Sequence, residues 1–167
     1  MAIDYRLAIF TRQAAEGTKC DGEIRAAALD ERLSRSGATP IVVQLSWPET
    51  QLRRSEGTLT LEAIQVQSIE AFLREQVMVR KAVEETMTEA RRSWLRQDRG
   101  SAAEMWSETA FCHLYLPNRE LIAIEGGGPQ TTSAYSVVFD VAWDDEHGTR
   151  ALKFRDGEQI GFGLAGD

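Results

Sequence analysis

Four consecutive ionisable side chains, Asp144, Asp145, Glu146 and His147, stand between Trp143 and Gly148 and carry the densest polar chemistry of the chain. Carboxylates beside an imidazole can ligate a metal or share acid–base work. Side chains at consecutive positions fan outward, however, so these four cannot all converge on one ion. A metal site here needs ligands from elsewhere, and the other histidine, His113, adjoins Cys112. Neighbours on a strand point to opposite faces, so that thiol and imidazole do not pair as nucleophile and base. The simpler role for the acidic stretch is a hairpin turn, its Asp side chains bonding nearby backbone N–H groups and Gly148 supplying a positive φ. Trp143, Asp144, Asp145, Glu146 and His147 are then candidate partner-binding residues, while Gly148, Asp156 and Gly157 shape turns. No catalytic residue, metal ligand or cofactor is expected. The G-G-G-P stretch at 126–129 lacks a following helix and a Lys-Ser/Thr pair, so it reads as a mobile connector between strands and not a phosphate loop.

The elements that must position this turn are two alternating stretches. Ser133 to Trp143 places Tyr135, Val137, Phe139, Val141 and Trp143 on one face of a long strand. Thr149 to Arg155 and Glu158 to Phe162 form a last hairpin closed by Asp156-Gly157, a dipeptide suited to a tight two-residue turn. Phe111 to Leu116 and Glu120 to Glu125 read as two further strands joined at P-N-R-E, with Pro117 and Asn118 at turn positions. Upstream, Thr58 to Arg99 contains no Gly and no Pro. From Phe72 its apolar residues run through Val79, Val83, Met87, Ala90 and Trp94 at helical spacing. This predicts one long helix or a kinked pair, capped by Thr58 or Thr60, with Glu62 in the first turn. Ser101, three residues before Glu104, is placed to cap a further short helical turn. The stripe of Phe72, Val83, Met87 and Trp94 should pack on the C-terminal sheet.

Nearer the start, Asp4 to Thr11 and Pro40 to Trp47 read as strands and Gln13 to Gly22 as a loop. Residues 23–30 fit strand and helix equally: Ile24, Ala26 and Ala28 alternate, yet A-A-A-L-D-E-R-L is a helix former. The expected organisation is one domain over 1–167, with N-terminal strands over 4–47, a central helical segment over 58–108 and a C-terminal antiparallel sheet over 110–164.

Composition narrows the function. Hydrophobic residues at 43% and charged residues at 27% suit a soluble globular chain. A net charge of −7 disfavours sequence-independent nucleic-acid binding and favours a basic protein partner. Two widely spaced cysteines make neither a disulfide framework nor a zinc motif. The charged start M-A-I-D-Y-R does not read as a signal peptide, and no run nears the roughly 18–20 apolar residues of a membrane span, so a cytoplasmic location is expected.

W-D-D-E-H-G followed by an alternating strand, F-R-D-G and I-G-F-G resembles a family of small uncharacterised bacterial proteins that end in a Trp-Asp-x-Glu-His-Gly pattern. The likeness falls on Trp143, Asp144, Glu146, His147, Gly148, Gly157 and Gly161, and departs from the pattern at Thr149-Arg150. Upstream, D-G-E-I-R at Asp21 to Arg25 is similar in order, and this favours strand for residues 23–30. The resemblance implies an α+β fold, a mostly antiparallel β-sheet against one long helix or a kinked helix pair. It also implies a role open to immunity proteins, small acidic inhibitors that sit beside secreted toxins. The expectation is therefore a non-enzymatic protein that binds a basic toxin domain. The alternative is an accessory domain that takes a small ligand or metal through its E-H-G turn. Oligomeric state is left open.

Overall fold

The structure, a computed structural model, describes residues 11–12, 19–24, 41–46, 61–95, 109–143 and 149–164. It shows an α+β fold in which helices lie against a mixed sheet. The strands are β1 (Thr11–Arg12), β2 (Lys19–Ile24), β3 (Ile41–Ser46), β4 (Thr109–Leu116), β5 (Ala134–Val141), β6 (Thr149–Arg155) and β7 (Glu158–Leu164). Their spatial order follows their chain order, and among the described residues β7 forms one edge. Every pairing is antiparallel except β3 with β4, where Val42 faces His113 and Leu45 faces Leu116. A parallel pair needs a long crossover, and the chain between β3 and β4 holds the helices α1 (Ala63–Arg74) and α2 (Gln76–Leu95). The sheet predicted over 110–164 is thus antiparallel within itself but joined to the N-terminal strands by a parallel seam.

The Gly- and Pro-free stretch forms the kinked pair. Glu75 N–H donates to the Ala71 carbonyl at 2.8 Å and Val79 N–H to Glu75 at 2.9 Å, so the ladder carries across the bend. At the joint the Gln76 amide donates to the Leu73 carbonyl at 2.8 Å, a side chain entering the helical ladder where it kinks. The N-cap of α1 is Glu62, which the sequence had placed in the first turn; Thr58, Thr60 and Ser101 lie outside the described residues. Glu62 N–H is taken by Gln65 Oε1 at 3.0 Å, one half of a capping box.

Phe72, Val79, Val83 and Met87 are fully buried and meet Leu114, Tyr135, Val137, Phe139, Leu152 and Phe154 from the sheet. The predicted stripe therefore packs as expected, except at Trp94, which is 47% exposed because the last turn of α2 runs to the sheet margin. Phe72 meets Tyr135 edge-on at 5.5 Å, and Tyr135 stacks on Phe154 at 5.2 Å. The Tyr135 hydroxyl donates to Glu75 Oε2 at 2.8 Å, tying the helix joint to the start of β5. Burial first, then the hydrogen bond and charge of Glu75, push this phenol well above the ordinary tyrosine range, with Arg74 opposing. The unfolded chain releases that proton near about pH 10. The contribution of Tyr135 is whole below that value and is lost as pH rises through and beyond it. Denaturant midpoints at about pH 8 and about pH 10.5 should therefore fall more steeply for the native chain than for Tyr135→Phe.

Two predicted segments differ. Glu120 to Glu125, expected as a strand, is the short helix α3 (Arg119–Ile124). Asn118 Oδ1 accepts the Leu121 N–H at 2.9 Å as an N-cap. The far end closes in a Schellman arrangement: Gly127 N–H reaches Ile122 O at 2.7 Å, Gly126 N–H reaches Ala123 O at 3.1 Å, and Gly126 takes φ +85°. The G-G of the supposed mobile connector is thus a helix terminus, and β4 pairs with β5 instead of a 120–125 strand. Likewise Lys19 to Gly22, expected within a loop, belongs to β2, where pairing with β3 overrides the cost of Gly22. The predicted strand 4–11 and residues 25–30 lie outside the described residues, apart from Thr11 in β1.

Candidate protein-binding face

β5 ends at Val141 and the chain turns through Ala142 and Trp143; Asp144, Asp145, Glu146, His147 and Gly148 lie outside the described residues. The structure places Trp143 and what surrounds the root of that turn. Trp143 is 9% exposed and Arg150, near the start of β6, is 8% exposed. Arg150 pairs across the sheet with Phe139 on one side and Leu164 on the other, which puts its side chain on the helix-covered face. There its guanidinium lies 5.5 Å from the Trp143 ring centroid and 6.0 Å from that of Trp94. The two indoles are 6.4 Å apart and tilted by 52°. A desolvated guanidinium against two indole faces is held by cation–π attraction. The Trp143 Nε1–H is buried and has no acceptor among the described residues.

Ala90, Ser93 and Trp94 from α2, with Trp143, Arg150 and Phe162, line a depression of about 520 Å³. A second, of about 480 Å³, continues along α2 past Thr86, Glu85 and Glu89 and shares Ala90, Ser93 and Phe162. Together they form a trough between the C-terminal half of α2 and edge strand β7. Its apolar wall is open to solvent, with Phe162 37% exposed. Thr86 and Gln159 bridge the near end through side-chain hydrogen bonds at 3.3 and 3.2 Å.

Among the described residues, no nucleophile–base pair lines this trough. His113 sits on β4, two strands from β6 in the sheet order, and Cys112 occupies a bulge where Phe111 faces Phe139 and His113 faces Val138.

Asp156 and Gly157 form the two-residue β6–β7 loop, with φ of +49° and +82°. Asp156 also does something that the sequence did not disclose. Its Oδ1 accepts from Thr132 N–H at 2.7 Å, Thr132 Oγ1 at 2.9 Å and Ser133 N–H at 3.0 Å, clamping the entry to β5. Desolvation raises this carboxyl, but those bonds and Arg155 outweigh it and hold the group below its usual value. Its contribution is present above about pH 4 and is lost as pH falls below that. Asp156→Ala should destabilise by about 2 kcal/mol, from lost hydrogen bonds and a Cβ at positive φ without an Asx side chain. Asp156→Asn, which keeps an acceptor, should lose less than half as much; urea midpoints of the two variants check this.

Arg150, Trp94 and Phe162 were not singled out from sequence as site residues. The available signals were a helical stripe running one turn beyond the sheet, and the parity that sets Arg150 on the core face of β6. No family model, characterised protein or solved structure matches the chain.

Proposed function

We propose that the protein is a non-enzymatic protein-binding protein, an immunity protein that neutralises a cognate basic toxin domain in the cytoplasm of the cell that makes it. The observation that carries this reading is the half-exposed Trp94, propped on buried Arg150 and Trp143 at the root of the acidic Asp144–Glu146 stretch. A rigid aromatic on a desolvated support, rimmed by polar residues, is the anatomy of an interface anchor. The net charge of −7 supplies long-range attraction for a basic partner. Among the described residues no helix is long and apolar enough to cross a membrane, and no group of three potential metal ligands gathers. On this reading the Trp-Asp-x-Glu-His-Gly pattern marks a family of inhibitors, and Trp143 through His147 border the contact surface.

Co-expression with each basic toxin domain encoded beside it tests the reading. One toxin should lose its lethality and co-purify at a fixed ratio. Failure of every neighbouring toxin to form a complex would exclude the immunity role.

A further inference from the structure

Resting on the protein-binding reading, we infer that the partner engages β7 as an extended segment, adding an eighth strand to the sheet and laying a Lys or Arg side chain against Glu85 and Glu89. The outer edge of β7 pairs with nothing among the described residues, β6 being its one neighbour. Glu158, Gln159, Ile160 and Phe162 are exposed, and Gly161 and Gly163 present no side chain that would block an incoming backbone. A strand edge of this kind offers backbone N–H and C=O groups to a new strand, while alternate side chains set specificity. Natural edges are blunted by Lys or other charges, Pro or bulges; E-Q-I-G-F-G-L has no Lys or Pro, and its bulge at Ile160 leaves Gly161–Leu164 as the regular stretch of edge.

The charge of the occupant follows from the trough wall. Glu85 and Glu89 line its outer half, and both are exposed. Lys81 approaches Glu85 only at 3.8 Å in a solvent-exposed i,i+4 pair, which screens weakly. The cation of the inner half, Arg150, is buried against the indoles. A second copy of the chain is a poor occupant. Its β7 carries one charged residue, Glu158, and edge-to-edge pairing would bring two acidic α2 flanks together. An extended segment whose helix-facing residues, every second one along the chain, include both apolar and basic side chains satisfies both walls: apolar side chains on Phe162 and Trp94, cations on the two glutamates.

Two capped peptides of roughly ten residues, enough to span a strand, provide the probe. One repeats Val-Thr-Lys-Thr, so that valine and lysine share one face, and the other repeats Val-Thr-Glu-Thr. Amide hydrogen exchange on the intact protein should show protection over Ile160–Leu164 with the lysine peptide. The glutamate peptide should bind at least tenfold more weakly. The surface variant Glu85→Lys/Glu89→Lys should reverse that order without changing the melting temperature, and Phe162→Lys should weaken the lysine peptide. The proposal is overturned by binding that leaves β7 exchange unchanged, by equal binding of both peptides, or by no binding. A free protein already dimeric with β7 protected would also overturn it, in favour of a second copy. A cognate toxin complex that leaves β7 exchanging freely would remove strand addition and leave the protein-binding reading intact. Peptide capture with no neighbouring toxin bound would do the reverse.

Discussion

Phe72→Ala should lower the unfolding free energy by about 4 kcal/mol, the middle of the range for truncating a buried phenylalanine. Phe72 is fully buried on α1 just before the kink, edge-on to Tyr135 and within the one cluster that joins both helices to β3, β4, β5 and β6. Its loss leaves a cavity that the rest of that cluster cannot close without moving the helix joint, because the Tyr135–Glu75 hydrogen bond pins the joint from the other side. For a chain of this size the melting temperature should drop by roughly 10 °C. An unchanged melting temperature would mean that α1 does not rest on the sheet through Phe72.

Gln65→Leu should cost about 3 kcal/mol although the replacement is apolar and of similar size. Gln65 is wholly buried, and its amide is a hub. Nε2 donates to the Ser46 carbonyl at 2.7 Å and to the Leu116 carbonyl at 3.4 Å, while Oε1 accepts from Glu62 N–H. Ser46 Oγ in turn accepts the Asn118 N–H at 2.8 Å, and Glu62 Oε2 accepts the Arg119 N–H at 2.7 Å. The ends of the parallel pair β3–β4, the start of α1 and the start of α3 thus share one buried polar junction. Leucine would leave two carbonyls and an N–H without partners, and each such orphan costs about 1–3 kcal/mol. The loss should appear in urea titrations with an unchanged slope. A neutral result would place water at the junction instead.

How much of this was legible in the sequence depended on the range of the forces involved. Local signals sufficed for the β6–β7 hairpin, since Asp156-Gly157 needs only its own φ angles, and for the faces of β5 and the helical pair, since periodicity records burial directly. The segment 120–125 misled because six apolar-rich residues fit strand and helix alike. The deciding contact, Asn118 Oδ1 to Leu121, was a capping signal read as a turn. The β2 residues 19–22 misled for the opposite reason: nothing local favours a strand there, and the pairing with β3 supplies it. The parallel seam, the Gln65 junction and the Asp156 clamp join residues 19 to 72 positions apart, or 23 and 24 for the clamp. No local pattern encodes such distances.

The same holds for the candidate site. Trp143 was visible as an aromatic at the edge of an acidic turn. Its support by Arg150 and Trp94 arises only when α2 crosses the margin of β6, bringing together side chains 56 and 49 positions from Trp94 in the chain.

The measurement that bears most directly on the protein-binding account is a calorimetric titration of the cognate basic toxin domain with the native chain and with Trp94→Ala. Trp94 is half exposed, so its removal should change the melting temperature little. As an interface anchor it should carry about 2 kcal/mol of affinity, or roughly a 30-fold rise in Kd. The account predicts stoichiometric binding by the native chain and that weakening in the variant. No heat of binding with the native chain, or equal affinity of the two proteins, would contradict it.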